Sequence, residues 1–119
     1  VTVEELEEAR EIIDVATVQN RYNVGDREHD DVVDYCEENG IGFLPWFPLA
    51  SGNLAAKEDA LNEVGDAHDA TAYQVALAWL LERSPVILPI PGTGSTDHLE
   101  ENVSAAEIEL TDEDMERLD

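Results

Sequence analysis

A glycine-rich turn, Gly92-Thr93-Gly94-Ser95, follows an apolar segment and runs directly into the acidic sequence TDHLEENV. Backbone N–H groups in such a turn, at the start of a helix, are able to hold a phosphate group. No Lys or Arg stands near this turn, so an anion bound there would lack a cationic side chain. The turn is therefore either a nucleotide-binding loop without cations or a tight turn in which Ser95 caps the helix.

Two histidines lie among carboxylates, an arrangement that could bind a metal ion. His29 lies in GDREHDD, and His68 lies in GDAHD. Neither has a second His or Cys at the spacing of a metal site, and a strongly acidic chain brings His and Asp together by chance. We therefore predict no metal site.

Cys36 is the single cysteine, so an intrachain disulfide is impossible. Its position in VVDYCEEN, on the apolar side of a predicted helix, favours a buried small side chain over a nucleophile. A chain without disulfides is typical of a reducing compartment, and we expect a cytoplasmic location.

The composition indicates one folded and strongly acidic domain over residues 1–119. Hydrophobic residues make up 43% of the chain, which argues against disorder despite a net charge of -23. With 29 Asp and Glu against 6 Lys and Arg, nucleic acid and anionic membrane surfaces are excluded as partners. No apolar run reaches the roughly 18 residues of a membrane span. The acidity is typical of a halophilic protein, and the alternative is a basic partner protein.

The elements that would position these residues alternate between helix and strand. Caps and apolar spacing predict helices at about 2–13, 28–39, 57–68, 72–83 and 95–105, and another in LTDEDMERLD. Strands are predicted at 15–20, 42–46 and 86–90. Thr2, Thr71 and either Ser95 or Thr96 are the predicted helix caps, and Gly40 is the predicted end of the second helix. The alternation predicts an α/β fold with about three parallel strands.

The helix predicted at 72–83 has a broad apolar face. Its members are Val75, Leu77, Ala78 and Leu81, and Trp79 in the middle of the helix is predicted to be core. Three parallel strands rarely suffice alone, and the chain starts at a helix cap without Met, so we expect a strand before Val1.

Three segments, VQNRYNVGDRE, GIGFLPWFPLASG and LPIPGTGSTDHLEENV, resemble the C-terminal part of an aldo-keto reductase. Members of that family are (β/α)8-barrel oxidoreductases that use NADPH or, less often, NADH. The resemblance covers the whole chain and implies a partial TIM barrel, whose strands are similar to the sixth, seventh and eighth of the complete barrel. Active-site loops follow the C-terminal ends of such strands.

The resemblance implies a role at the nicotinamide end of the cofactor for two strand residues. Gln19 is similar to a glutamine that bonds the nicotinamide carboxamide, and an amide offers both a donor and an acceptor. Trp46 is similar to the aromatic residue that stacks on the nicotinamide ring. The residues after it, Phe47, Pro48 and Leu49, are similar to the loop along the pyrophosphate. The alternative for Gln19 is that its side chain hydrogen-bonds the loop backbone. The alternative for Trp46 is that it is a core residue.

The resemblance also implies that the glycine-rich turn holds the adenosine end. Gly92, Thr93, Gly94 and Ser95 are similar to the loop around the ribose and its 2′-phosphate, while Glu101 and Asn102 are similar to residues that reach the adenine. His98 stands where relatives frequently have Arg, and the Arg or Lys that usually binds the 2′-phosphate is absent. We therefore expect either a preference for NADH or weak binding outside high salt, with the cofactor NADP(H) or NAD(H).

The catalytic Asp, Tyr, Lys and His of the family lie on earlier barrel strands that this sequence does not contain. Tyr22, Tyr35, Tyr73, Lys57 and His29 have no spacing that would replace them. We therefore expect the cofactor-binding part of an enzyme that reduces a small carbonyl substrate, and an inactive isolated chain. The alternative is a non-catalytic half-barrel that folds by self-association or with a partner chain.

Overall fold

The computed structural model describes residues 1–46 and 57–119. The helices are α1 (Val3–Arg10), α2 (Asp30–Asn39), α3 (Glu58–His68), α4 (Ala72–Arg83), α5 (Thr96–Ser104) and α6 (Asp112–Leu118), and the strands are β1 (Thr17–Arg21) and β2 (Gly42–Trp46). A short 3-10 helix, Ala105–Glu107, follows α5. Within the two described ranges, no helix has the length and apolarity needed to cross a membrane.

Side-chain caps start four of these helices. The hydroxyls of Thr2, Thr71, Ser95 and Thr111 each accept a hydrogen bond from a backbone N–H in the first turn. Gly40 ends α2 with φ 67°, a left-handed conformation that glycine adopts without strain. The predicted caps at Thr2 and Thr71 and the helix end at Gly40 are confirmed, and Ser95 is the cap of α5.

β1 and β2 form a parallel pair in which Gln19 lies opposite Leu44. Burial alternates along both strands, because successive side chains point to opposite faces of a sheet. Val18 and Phe43 point to the helices and are buried. Gln19, Leu44 and Trp46 lie on the other face, which the described helices leave open.

The predicted third strand, VILPI, is wrong in its extent, because the structure has one parallel bridge there, between Phe43 and Ile87. The Phe43 N–H donates to the Val86 carbonyl at 2.9 Å, and the Leu88 N–H donates to the Phe43 carbonyl at 2.8 Å. The next donor in this register would be Pro45, which has no N–H. The pairing therefore stops after these two bonds.

The core packs against the buried face of the sheet and is centred on three rings. Tyr22 stacks on Trp79 with ring centroids 5.8 Å apart, and it meets Phe43 edge-on at 5.6 Å. Trp79 is fully buried, which confirms that it is core. Cys36 is also buried, as predicted, and burial raises the pKa of its thiol.

Helix α4 contributes six consecutive buried residues, Val75–Leu80, to this core. Leu81, which was predicted to lie on the broad apolar face of this helix, is 40% exposed and does not share the burial of Val75–Leu80. It lies beyond the last residue that the core covers and lines an open apolar groove with Leu99 and Val103 of α5. The apolar stripe on α4 is therefore wider than the surface that buries it.

Asp30, at the start of α2, accepts hydrogen bonds from the Tyr22 hydroxyl and from the guanidinium groups of Arg27 and Arg83. Burial alone would raise the pKa of the Asp30 carboxyl, but these bonds and the two Arg charges outweigh it and hold the pKa below its usual value. Burial and the bond to Asp30 raise the pKa of the Tyr22 hydroxyl, so Tyr22 stays protonated. The network fixes the turn after β1 against α2 and α4.

Helix α6 is tied to α3 by polar contacts. His68, at the end of α3, lies 2.8 Å from the Asp114 carboxylate, and this bond is the main cause that lowers the pKa of that carboxyl. Lys57, just before α3, donates to the Leu118 carbonyl at 2.9 Å. Leu118 itself is buried, so α6 closes one side of the core.

Candidate functional site

A cavity of about 240 Å³ lies where the glycine-rich turn meets the first turns of α4 and α5. Its lining residues are Tyr73, Gly92, Thr93, His98, Glu101 and Asn102. The three residues from α5 share one face of the helix, since their spacing of three and four places them on neighbouring turns. The cavity thus combines a phenol ring, a hydroxyl, an imidazole, a carboxylate and an amide.

The turn itself is shaped by hydroxyl contacts. The Ser95 N–H donates to the Thr93 hydroxyl at 3.1 Å, and the Ser95 hydroxyl accepts from the His98 N–H at 3.4 Å. Ser95 is therefore occupied with capping α5, and neither it nor Gly94 lines the cavity.

Gly92 and Gly94 are not required by the backbone or by their neighbours. A Cβ added at either would meet no atom within 4 Å, and neither has a left-handed φ. Gly65 in α3 is different, because its Cβ would lie 2.6 Å from the Ala70 carbonyl oxygen. Packing thus accounts for Gly65, whereas no described neighbour of Gly92 or Gly94 requires a glycine.

One residue fixes α4 against the α5 wall of the cavity. The Gln74 side chain accepts from the Thr71 N–H at 3.0 Å and donates to the Glu101 carbonyl at 3.0 Å. The same side chain therefore completes the cap of α4 and holds the turn of α5 that carries Glu101 and Asn102.

Gln19 and Trp46, the residues predicted for the nicotinamide end, lie on the open face of the sheet. Gln19 is in the middle of β1, opposite Leu44, and Trp46 is two residues further along β2. The Trp46 side chain is 45% exposed, which contradicts its alternative interpretation as a core residue. Phe47, Pro48 and Leu49 lie outside the described residues.

The family model described as "Aldo/keto reductase family" matches residues 1–119. The chain belongs to the aldo/keto reductase family. An uncharacterised oxidoreductase of Schizosaccharomyces pombe is 50% identical to this chain over 119 residues, which are 100% of the chain and 39% of that protein. Pyridoxine 4-dehydrogenase of Escherichia coli is 44% identical over 100% of the chain and 41% of its own length.

Solved structures agree with this assignment. The aldo/keto reductase of Klebsiella pneumoniae, crystallised with NADP and acetate, matches with a TM-score of 0.89 and 27% identity over 100% of this chain and 44% of its own. The α/β fold of this chain thus resembles part of a (β/α)8 barrel, as predicted. The chain spans about two fifths of the length of the curated relatives above.

The structure brings some of the predicted site residues together and leaves others apart. Gly92, Thr93, His98, Glu101 and Asn102 surround one cavity, whereas Gln19 and Trp46 share a sheet face apart from that cavity's lining. Sequence reasoning missed Tyr73. The signal that could have found it is a large aromatic residue in the first turn of a capped helix, ahead of the apolar stripe.

All six Lys and Arg side chains of the chain are among the described residues, and all have contacts outside the cavity. Arg10 donates to Tyr35, Arg21 pairs with Asp26, Arg27 with Asp30 and Asp119, Arg83 with Asp30 and Asp34, Arg117 with Glu63 and Glu113, and Lys57 bonds Leu118. None of the six lines the described cavity, where His98 is the sole side chain able to carry positive charge.

The tyrosines outside the cavity take part in structural contacts. Tyr22 is buried and bonded to Asp30, and the Tyr35 hydroxyl accepts from Arg10 at 2.7 Å. Lys57 is engaged with the backbone of α6. Tyr22, Tyr35 and Lys57 therefore stabilise the fold.

Proposed function

We propose that this chain is the cofactor-binding part of an NAD(P)H-dependent aldo-keto reductase that acts on a small carbonyl or alcohol substrate. The observation that carries the proposal is the cavity at the glycine-rich turn, because five of its lining residues are similar to the adenosine-end residues of the family. When bound, the nicotinamide supplies or accepts the hydride. The NADP found with the Klebsiella pneumoniae reductase supports this choice of cofactor.

The residues around the cavity fit the adenosine end of a dinucleotide. Gly92 leaves open the space that a Cβ would fill, so a ligand is able to approach the backbone closely. Thr93 offers a hydroxyl, and Asn102 offers a donor and an acceptor to a base edge. The volume of about 240 Å³ is below the roughly 300 Å³ at which whole-ligand pockets begin. The cavity therefore suits one end of the cofactor.

The nicotinamide end is assigned to the open sheet face. Gln19 would hold the carboxamide and fix which face of the ring meets the substrate, and Trp46 would stack on the ring. Both side chains lie on the same face of the β1–β2 pair, with Gln19 in the middle of β1 and Trp46 at the end of β2, and this shared face supports the assignment. Phe47, Pro48 and Leu49 remain predicted contacts of the pyrophosphate.

The negative charge of the chain should make its affinity for the cofactor depend on salt concentration. The chain has a net charge of -23, and no Lys or Arg lines the described part of the site. An anionic dinucleotide is therefore repelled at low ionic strength, and screening lowers that repulsion as the Debye length falls from about 10 Å at 0.1 M to about 3 Å at 1 M salt. NADP carries the extra 2′-phosphate, so its binding should gain more from salt than the binding of NAD. We also propose that the protein is adapted to high salt and is located in the cytoplasm.

Titration calorimetry of the 119-residue chain with NAD and NADP at 0.1 M and 1 M KCl tests this function. We expect both to bind, NAD more tightly at 0.1 M, with the gap narrowing at 1 M. Asn102→Ala should weaken both, whereas Glu116→Gln on the exposed side of α6 is the control and should change neither. Absence of NAD and NADP binding at both salt concentrations would refute the proposal.

We also propose that the isolated chain does not catalyse the reaction, because it lacks the residues that relatives use for proton transfer. Carbonyl-dependent oxidation of NADPH by the purified chain would contradict this. The competing proposal, a self-associating half-barrel, draws on the exposure of Trp46, Leu88 and Ile90 beside the sheet. Light scattering that gives the monomer mass at 1 M KCl would remove that alternative.

A further inference from the structure

Tyr73 is a large aromatic residue at an exposed position of a well-buried helix. It is the second residue of α4, and 60% of its side chain is exposed, whereas Val75–Leu80 of the same helix are buried. Thr71 and Gln74 already form a complete capping box, so the start of the helix does not depend on Tyr73. Neither core packing nor capping therefore explains an aromatic ring at this position.

The ring of Tyr73 is held beside the α5 face of the cavity. Its neighbour Gln74 bonds both the Thr71 N–H and the Glu101 carbonyl, which fixes the first turn of α4 relative to α5. Tyr73 and Asn102 consequently line the same cavity of about 240 Å³. The cavity thus has an aromatic surface in addition to polar groups that could bond the edge of a flat ligand.

We propose that Tyr73 is the surface on which the adenine base of the dinucleotide stacks. This inference rests on the proposed function, since it concerns the adenosine end of the same site. Every base has a π-face, and stacking of a base on an aromatic side chain is a recurrent source of nucleotide affinity. Asn102 and Glu101, which line the same cavity, would then contact the edge of the stacked base.

Stacking suits a site without cations in a protein of this charge. All six Lys and Arg side chains of the chain are engaged elsewhere, so charge-assisted bonds contribute little at the cavity. Salt screens ionic contacts but leaves the stacking of neutral rings intact. The Tyr73 contribution to affinity should therefore be the same at 0.1 M and at 1 M salt, unlike the total affinity for the dinucleotide.

The test compares Tyr73→Ala and Tyr73→Phe with the unaltered chain in titrations with 5′-AMP, nicotinamide mononucleotide and NAD. Tyr73→Ala should weaken 5′-AMP and NAD by about tenfold at both salt concentrations. Tyr73→Phe keeps the ring and should bind within about twofold of the unaltered chain, and nicotinamide mononucleotide should be unaffected throughout. Leu99→Ala is the matched control, since Leu99 is an exposed apolar residue of α5 that lines the neighbouring groove.

The outcomes separate this inference from the proposed function. If NAD binds but Tyr73→Ala binds 5′-AMP as tightly as the unaltered chain, the stacking inference is wrong and the proposed function stands. Equal loss of nicotinamide mononucleotide binding would also overturn it, because the effect would then be general. If the unaltered chain binds neither NAD nor 5′-AMP, both proposals fail. Upfield shifts of the Tyr73 ring protons on addition of 5′-AMP, measured by NMR, are the expected direct signature of stacking.

Discussion

Helices α4 and α5 meet at the hydrogen bond between Gln74 and the Glu101 carbonyl, yet they differ in how far their residues are buried. Helix α4 buries Val75–Leu80 in succession, whereas none of the nine described residues of α5 is buried. The apolar residues of α4 stabilise the fold, and the polar residues of α5 line the cavity. The difference teaches that the buried core and the proposed binding site use different residues, even where Tyr73 and the core residues share α4, so substitutions should be able to change one without the other.

The sharpest way to break this comparison is to truncate a large side chain on each helix. Trp79→Ala removes a fully buried ring that stacks on Tyr22 and should lower the free energy of unfolding by about 3–5 kcal/mol. Leu99→Ala, on α5, removes a side chain that is 52% exposed and should change it by less than about 0.5 kcal/mol. Urea unfolding followed by circular dichroism measures both.

Trp79→Phe retains a ring, so its loss of unfolding free energy should fall between the losses of Trp79→Ala and Leu99→Ala. This variant keeps the comparison measurable if Trp79→Ala is unfolded. Similar losses for Trp79→Ala and Leu99→Ala would show that α5 is part of the cooperative core and would end the distinction between the two helices.

A smaller effect is expected at Asp30, which bonds α2 to the core. Asp30→Ala leaves the buried Tyr22 hydroxyl without its acceptor and should cost about 1–3 kcal/mol, whereas Glu100→Ala on exposed α5 should cost less than about 0.5 kcal/mol. Because the folded-state pKa of Asp30 is lowered, its contribution is complete above about pH 4 and is lost as the pH falls through that lowered value.

Unfolding free energies measured from pH 7 down to pH 2 test this assignment. The Asp30→Ala chain should lose less stability over the acid part of the range than the unaltered chain, while Glu100→Ala should follow the unaltered chain. Parallel curves for all three would mean that Asp30 is not a source of the acid sensitivity.

The smallest stability difference, and the most informative for function, concerns two glycines. Gly65→Ala places a Cβ 2.6 Å from the Ala70 carbonyl oxygen and should destabilise the chain by about 1–2 kcal/mol. Gly92→Ala meets no neighbouring atom and should leave stability within about 0.5 kcal/mol of the original. Because Gly92 lines the cavity, the same substitution should weaken 5′-AMP binding.

Thermal unfolding and calorimetry of the two variants give both quantities. A Gly92→Ala chain that is destabilised but binds 5′-AMP normally would show that Gly92 is needed for the conformation of the turn. Gly92 would then contribute to stability and not to binding, which would contradict the comparison.

Signals that act within one helical turn were readable from the sequence. Thr71, Gly40 and the strand at 42–46 are confirmed because caps, left-handed glycines and short apolar runs depend on a few adjacent residues. The buried positions of Trp79 and Cys36 followed from helical periodicity in the same way.

Features that depend on distant residues were predicted less well. The segment VILPI has strand composition, but its partner offers Pro45 where a donor is needed, so pairing ends early. Leu81 continues the apolar period, yet no described part of the core extends far enough to cover it. Tyr73 gained significance only when folding brought α4 beside the glycine-rich turn.

Pro45 has a consequence for motion as well as for pairing. The segment that leads into the cavity at the glycine-rich turn is joined to the sheet edge by the Phe43–Val86 and Leu88–Phe43 bonds, whereas β1 and β2 are paired over five residue positions. Local opening separates the weakest contacts first, and amide protons there exchange with solvent ahead of the core. Because Pro45 lacks an N–H, we expect amide protons of residues 86–88 to exchange ahead of those in β1 and β2, and a ligand bound at the cavity should slow that exchange.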